Sequence, residues 1–101
     1  MPDIVTVIRP KTVTRSARPR LYRVVLINDD FTPREFVCIV LKAVFRMGEA
    51  EARRVMLTAH QKGACVVAVF TREVAETRAA QAHAMAAKEG HPLTFRVEPE
   101  D

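Results

Sequence analysis

The chain has 101 residues, the size of one domain, and 49% of them are apolar with only 6% aromatic, which suits a small folded protein and excludes a disordered one. Of the sixteen basic and twelve acidic residues, five basic groups and one acid fall in residues 1–20 and eleven of each sign follow. The net charge of +4 therefore belongs to the N-terminal arm, and the remainder lacks the basic excess of a nucleic-acid-binding domain. No apolar run approaches the length of a membrane span, and the N-terminus lacks the pattern of a signal peptide, so the expected location is the cytoplasm.

Residues 1–19 carry three of the six prolines (Pro2, Pro10, Pro19) and read as a flexible basic extension. Ile4-Val5-Thr6-Val7-Ile8 is strand-like, but its proline-rich terminal setting favours a tail. Residues 20–101 form the expected domain. Leu21 to Ile27 is apolar and β-branched, a strand. Thr32-Pro33-Arg34-Glu35 predicts a helix start, with Thr32 as cap, Pro33 at the first helical position and Glu35 completing a capping box. The helix runs to about Phe45. Its apolar positions cover most of its circumference, so it is expected to be buried or to line a pocket.

A second helix is expected from about Glu49 to Lys62. Ala52, Val55, Met56 and Ala59 make its apolar stripe, and His60 neighbours Met56 on one face. Gly63 ends it. Ala64 to Phe70 reads as a buried strand. Thr71 opens a third helix with Glu73 in its first turn. Val74, the stem of Arg78, Ala82, Met85 and Ala86 are its expected packing face. Leu93 to Val97 is a last strand. The order βααβαβ predicts an α+β fold, a three-stranded sheet with three helices packed on one face.

Enzyme signatures are absent. Three scattered glycines cannot form a phosphate loop. His60, His83 and His91 lack metal-ligand spacing, and Cys38 and Cys65 form no CxxC pair and read as buried hydrophobes. No cofactor or metal is expected. Adjacent carboxylates such as Asp29-Asp30 more often cap or bind backbone amides than catalyse. Binding is the better reading: Asn28, Asp29, Asp30 and His60 converging beside Met56 and Val37 would make an apolar pocket rimmed by acceptors, suited to a cationic head on an apolar body.

Tyr22 to Phe36 (YRVVLINDDFTPREF), Met56-Leu57-Thr58-Ala59-His60 with Gly63, Val69 to Arg78 (VFTREVAETR) and His91-Pro92-Leu93 together resemble the ClpS family. These adaptors deliver N-end rule substrates to the ClpA unfoldase of the ClpAP protease. The resemblance spans residues 21–97 and implies a fold like the C-terminal domain of a ribosomal stalk protein. It implies that Asn28, Asp30 and His60, with Asp29 beside them, bind the substrate's α-amino group. Leu26, Ile27, Thr32, Val37, Met56 and Leu93 match the lining of the side-chain pocket, and Glu73 and Arg78 match the face that docks on the N-terminal domain of ClpA. The implied partners are that domain and N-degron-bearing proteins or peptides bound through N-terminal Leu, Phe, Tyr or Trp, the adaptor acting as a monomer without nucleic acid or membrane.

Two pocket positions depart from the family pattern: Arg34 stands where Met is usual and Ala59 where Val is usual. Some bacteria carry a second, divergent copy of this adaptor, and the departures suit such a copy. A different reading, a nucleic-acid- or ribosome-associated module using the basic arm, predicts salt-dependent polynucleotide binding.

Overall fold

A computed structural model describes residues 18–101. The proposed extension over residues 1–19 lies almost entirely outside the described residues.

The elements are β1 (Leu21–Ile27), α1 (Arg34–Phe45), α2 (Glu49–Lys62), β2 (Ala64–Thr71), α3 (Arg72–Lys88) and β3 (Thr94–Pro99). The strands form one antiparallel sheet in the order β2-β1-β3. The architecture is the expected α+β fold with element order βααβαβ. β1 is central, paired with β2 on one side and β3 on the other, and its Val24, Val25 and Leu26 are all buried. Its side chains alternate between faces. Val24 and Leu26 join the main core, whereas Val25 is 8% exposed yet lies outside that cluster.

All three helices contribute to the core over Val24, Leu26 and Phe95. α1 supplies Val37, Cys38, Val40, Leu41 and Val44. Its apolar residues do not all turn inward, because Ile39 is 48% exposed. α2 supplies the expected stripe, Ala52, Val55, Met56 and Ala59. Gly63 ends it in the left-handed region (φ 93°), its N–H donating to the Ala59 carbonyl at 2.8 Å, a conformation that suits a residue without Cβ.

Local expectations are corrected at the start of α1, along β2 and on α3. Thr32 does not cap α1: Pro33 occupies the cap position without a side-chain bond, and its carbonyl accepts from Phe36 and Val37 N–H. Thr32 is committed to the preceding loop instead, and Glu35 is exposed and lies 3.8 Å from Arg53. β2 is an edge strand, half-exposed along its length, so Val66 and Val69 face solvent and Cys65 is only partly buried. A continuous apolar run cannot distinguish an edge from a centre, because that depends on which strand pairs on both sides. The extra residue between the Val24–Ala68 and Val25–Val66 pairs makes a bulge that re-aims this edge. The buried face of α3 is Ala75, Ala79, Ala82 and Ala86, and Val74 is exposed. Small side chains let the helix lie close to the sheet, so packing follows the alanines rather than the larger Val74.

These burials predict a contrast on one helix. Leu41→Ala, at a position with 0% exposure, is expected to lower unfolding free energy by about 2–5 kcal/mol. Ile39→Ala should cost less than about 1 kcal/mol because that side chain is already half solvated. Urea denaturation of both variants checks the assignment of the buried face.

Candidate functional site

The site is the corner where β1 ends and α1 begins. Asp29 builds it. One carboxylate oxygen accepts the N–H groups of Phe31 and Thr32, each at 2.8 Å, and the other accepts the Thr32 hydroxyl at 2.9 Å. A short acidic side chain that bonds backbone two and three residues ahead closes a turn on itself. Thr32 is 8% exposed, the one buried polar side chain among the described residues, and Asp29 satisfies its hydroxyl. Burial opposes the charged form of Asp29, but the three donors outweigh it and hold the carboxyl below its ordinary value.

The second anchor joins this corner to α2. The backbone N–H of Asn28 donates to the Gly63 carbonyl at 3.0 Å. His60 lies in the last turn of α2, so this bond brings it beside the loop. On the far side Leu93 is buried just before β3, and Phe36 meets His91 edge-on with ring centroids 4.7 Å apart.

Between these parts lies a pocket of about 300 Å³. Leu26, Ile27, Val37, Met56, Ala59 and Leu93 supply its apolar walls, and Asn28, Asp29, Asp30, Thr32, Arg34 and His60 its polar ones. All twelve residues singled out from the sequence for the ammonium site and side-chain pocket thus line one cavity. Phe31, 81% exposed, and Pro33 line it too and were missed. An aromatic residue in a turn between two polar anchors was the available signal for Phe31. The Asp29–Thr32 brace was missed as well, because the sequence offers Thr32 equally as the cap of α1 and as the partner of an Asp three positions earlier.

The polar residues are not equivalent. Asp29 has both oxygens engaged within the loop, whereas Asp30 is exposed. His60 is hydrogen-bonded through Nε2 to the Arg34 guanidinium at 2.8 Å. Glu73 and Arg78 lie on α3, no residue of which lines the pocket. Glu73 is exposed, and Arg78 is half-buried with its guanidinium donating to the Val44 carbonyl at 3.2 Å. Cys38 is 1% exposed and burial pushes its thiol up, so it stays protonated and inert. Among the described residues no group of three His, Cys, Asp or Glu side chains could hold a metal ion, and no helix is long and apolar enough to cross a membrane.

An apolar slot beneath a fixed polar turn has the form of a ligand-binding site. Comparison with known proteins gives the family. Residues 17–96 match the model of the ATP-dependent Clp protease adaptor protein ClpS. The chain is 54% identical over 101 residues to ATP-dependent Clp protease adapter protein ClpS 2 of Mesorhizobium japonicum, with all of both chains covered. It is 56% identical over 101 residues to ClpS 1 of Bradyrhizobium diazoefficiens, again with full coverage of both. Its fold is similar to that of Agrobacterium tumefaciens ClpS2 bound to L-phenylalaninamide, with a TM-score of 0.81, 58% identity, and coverage of 82% of this chain and 100% of that one. The chain belongs to the ClpS family of Clp protease adaptors; it is an adaptor and not an enzyme.

The loop brace has a measurable pH signature. Because the folded carboxyl of Asp29 sits below its unfolded value of about 3.9, its contribution is present above that value and lost as pH falls through the folded one. The stability difference between the wild type and Asp29→Asn, measured by denaturation, should therefore shrink from about pH 6 to about pH 3. A difference that stays constant would show that the carboxylate charge does not brace the loop.

Proposed function

We propose that this adaptor binds the free α-amino group and bulky hydrophobic side chain of N-terminal Leu, Phe, Tyr or Trp. It then delivers the substrate to the ClpA unfoldase of the ClpAP protease, in the cytoplasm. The observation that carries the reading is the pocket itself: apolar walls meet a rim of acceptors, in a chain 58% identical to an adaptor whose structure holds L-phenylalaninamide. That ligand presents a free ammonium, a benzyl group and a carboxamide, which is the chemistry of a peptide's first residue.

An α-ammonium has three N–H donors and no acceptor. The side-chain oxygen of Asn28, the exposed carboxylate of Asp30 and the bare nitrogen of a neutral His60 are the complementary set. Asp29 contributes differently: its bonds to Phe31 and Thr32 fix the turn from which Asn28 and Asp30 project. An acetylated or internal residue lacks the triple donor and would leave acceptors desolvated and unpaired. The ligand's side chain enters between Val37, Met56, Ala59 and Leu93, burial worth about 1.5–3 kcal/mol for a large apolar group. Ala59 in the lining leaves more depth than a branched residue would.

Delivery requires that substrate and unfoldase be held together. Glu73 and Arg78 are the proposed docking residues, and their helix is separate from the pocket lining, so both partners can bind at once.

A peptide beginning with Phe is expected to bind, in a calorimetric titration, and its N-acetylated twin is not. Asn28→Ala and His60→Ala should each weaken binding by about 1–3 kcal/mol. Equal binding of the two peptides would refute the reading. For docking, Glu73→Lys should weaken capture by the isolated N-terminal domain of the unfoldase while leaving peptide affinity unchanged. Undiminished capture would place the docking surface elsewhere.

A further inference from the structure

We propose that Arg34 is a built-in competitor for the ligand's ammonium group: its guanidinium occupies Nε2 of His60 in the free protein, and a ligand binds by displacing it. The inference rests on the reading of the pocket as a site for N-terminal residues.

The chemistry of the pair leaves one arrangement. A guanidinium donates and never accepts, so in the 2.8 Å contact between Arg34 Nη2 and His60 Nε2 the ring nitrogen is the acceptor. The imidazole is then neutral with its proton on Nδ1. An imidazole nitrogen offers a single in-plane lone pair, so Arg34 and an ammonium cannot both be well bonded to it. They would also repel one another, because both carry full positive charge.

Among the described residues His60 is the one side-chain hydrogen-bond partner of Arg34, whereas Arg46, Lys62 and Lys88 have neither a side-chain hydrogen bond nor an ion pair. Arg20, Arg23, Lys42, Arg53, Arg54, Arg72 and Arg96 each lie within 4.0 Å of a carboxylate, and Arg78 donates to a carbonyl. Among the described residues Arg34 has no such ion pair, and its partner is a neutral ring. It opens α1, where the helix dipole disfavours a cation. Arg34 and His60 both line the pocket, so the bond lies at the site where the ammonium is to be received.

Displacing an internal cation adds the same cost for every ligand. Apparent affinity falls by the fraction of molecules in which His60 is open, whatever side chain the ligand carries. Arg34 therefore sets a threshold of affinity without changing the ranking of N-terminal residues. A residue that gated the apolar pocket would do the opposite.

Two measurements decide the matter. Affinities of Phe-initiated and Leu-initiated peptides are compared in the wild type and Arg34→Ala. Because the pair is exposed to solvent, Arg34→Ala should tighten both by a common factor of about two to five. In the free proteins, ¹⁵N spectra of the His60 ring should show the Nδ1–H tautomer dominant in the wild type and a shift toward Nε2–H in Arg34→Ala. Unchanged or weaker binding, unequal factors for the two peptides, or an unaltered ring spectrum would each overturn the proposal. If instead the wild type fails to distinguish a free from an acetylated Phe peptide, the N-terminal-residue reading fails first and takes this one with it.

Discussion

The carboxylate of Asp29 holds the functional corner together. A turn between a strand and a helix must place several polar groups beside an apolar cavity without leaving them unpaired. Asp29 does this by accepting two backbone N–H groups and the buried hydroxyl of Thr32. Once those donors are satisfied, the loop has no need of its other polar side chains. Asn28 and Asp30 are left available for a ligand. The backbone bond from Asn28 to Gly63 then locks the braced loop to the end of α2 and brings His60 to the same rim. Two sets of hydrogen bonds, one inside the turn and one between turn and helix, thus convert residues far apart in sequence into a single acceptor cluster.

The pocket beneath this cluster is made by the core itself. Leu26, Val37, Met56, Ala59 and Leu93 are each less than a tenth exposed and belong to the main apolar cluster. Their inner sides pack against the sheet and helices, and their outer sides form the cavity wall. Site and fold therefore share residues, and preorganisation comes from ordinary core packing. The polar rim residues Asp30, Arg34 and His60 lie at the surface, where a change such as Arg34 does not disturb the interior.

Most of the fold could be read in the chain, because the elements carry strong local signals: the β-branched run of β1, the spacing of Ala52, Val55, Met56 and Ala59, and the stop at Gly63. The grouping of the pocket residues was legible through residue types whose spacing placed them at element ends, and the roles given to them are those that the family resemblance implies. What could not be read depends on tertiary context. Thr32 has two competing uses, as helix cap or as partner of Asp29, and only the folded turn decides between them. β2 has the composition of a buried strand, yet its position at the edge follows from β1 pairing on both sides. The rotation of α3 was misread because Val74 outweighs Ala75 in hydrophobicity, whereas proximity to the sheet selects the smaller side chain. The contact between Arg34 and His60 joins residues 26 positions apart and has no local signature at all.

The alanine face of α3 has a consequence in entropy. Ala75, Ala79, Ala82 and Ala86 are buried, and an alanine loses no rotamer freedom when it is buried, unlike the long side chains it replaces. The helix that carries the proposed docking residues is thus fixed at little conformational cost beyond that of its backbone, and it has few side-chain degrees of freedom through which to shift on the sheet. A partner gripping its outer surface would meet a stiff strut and could pull on the adaptor through backbone packing.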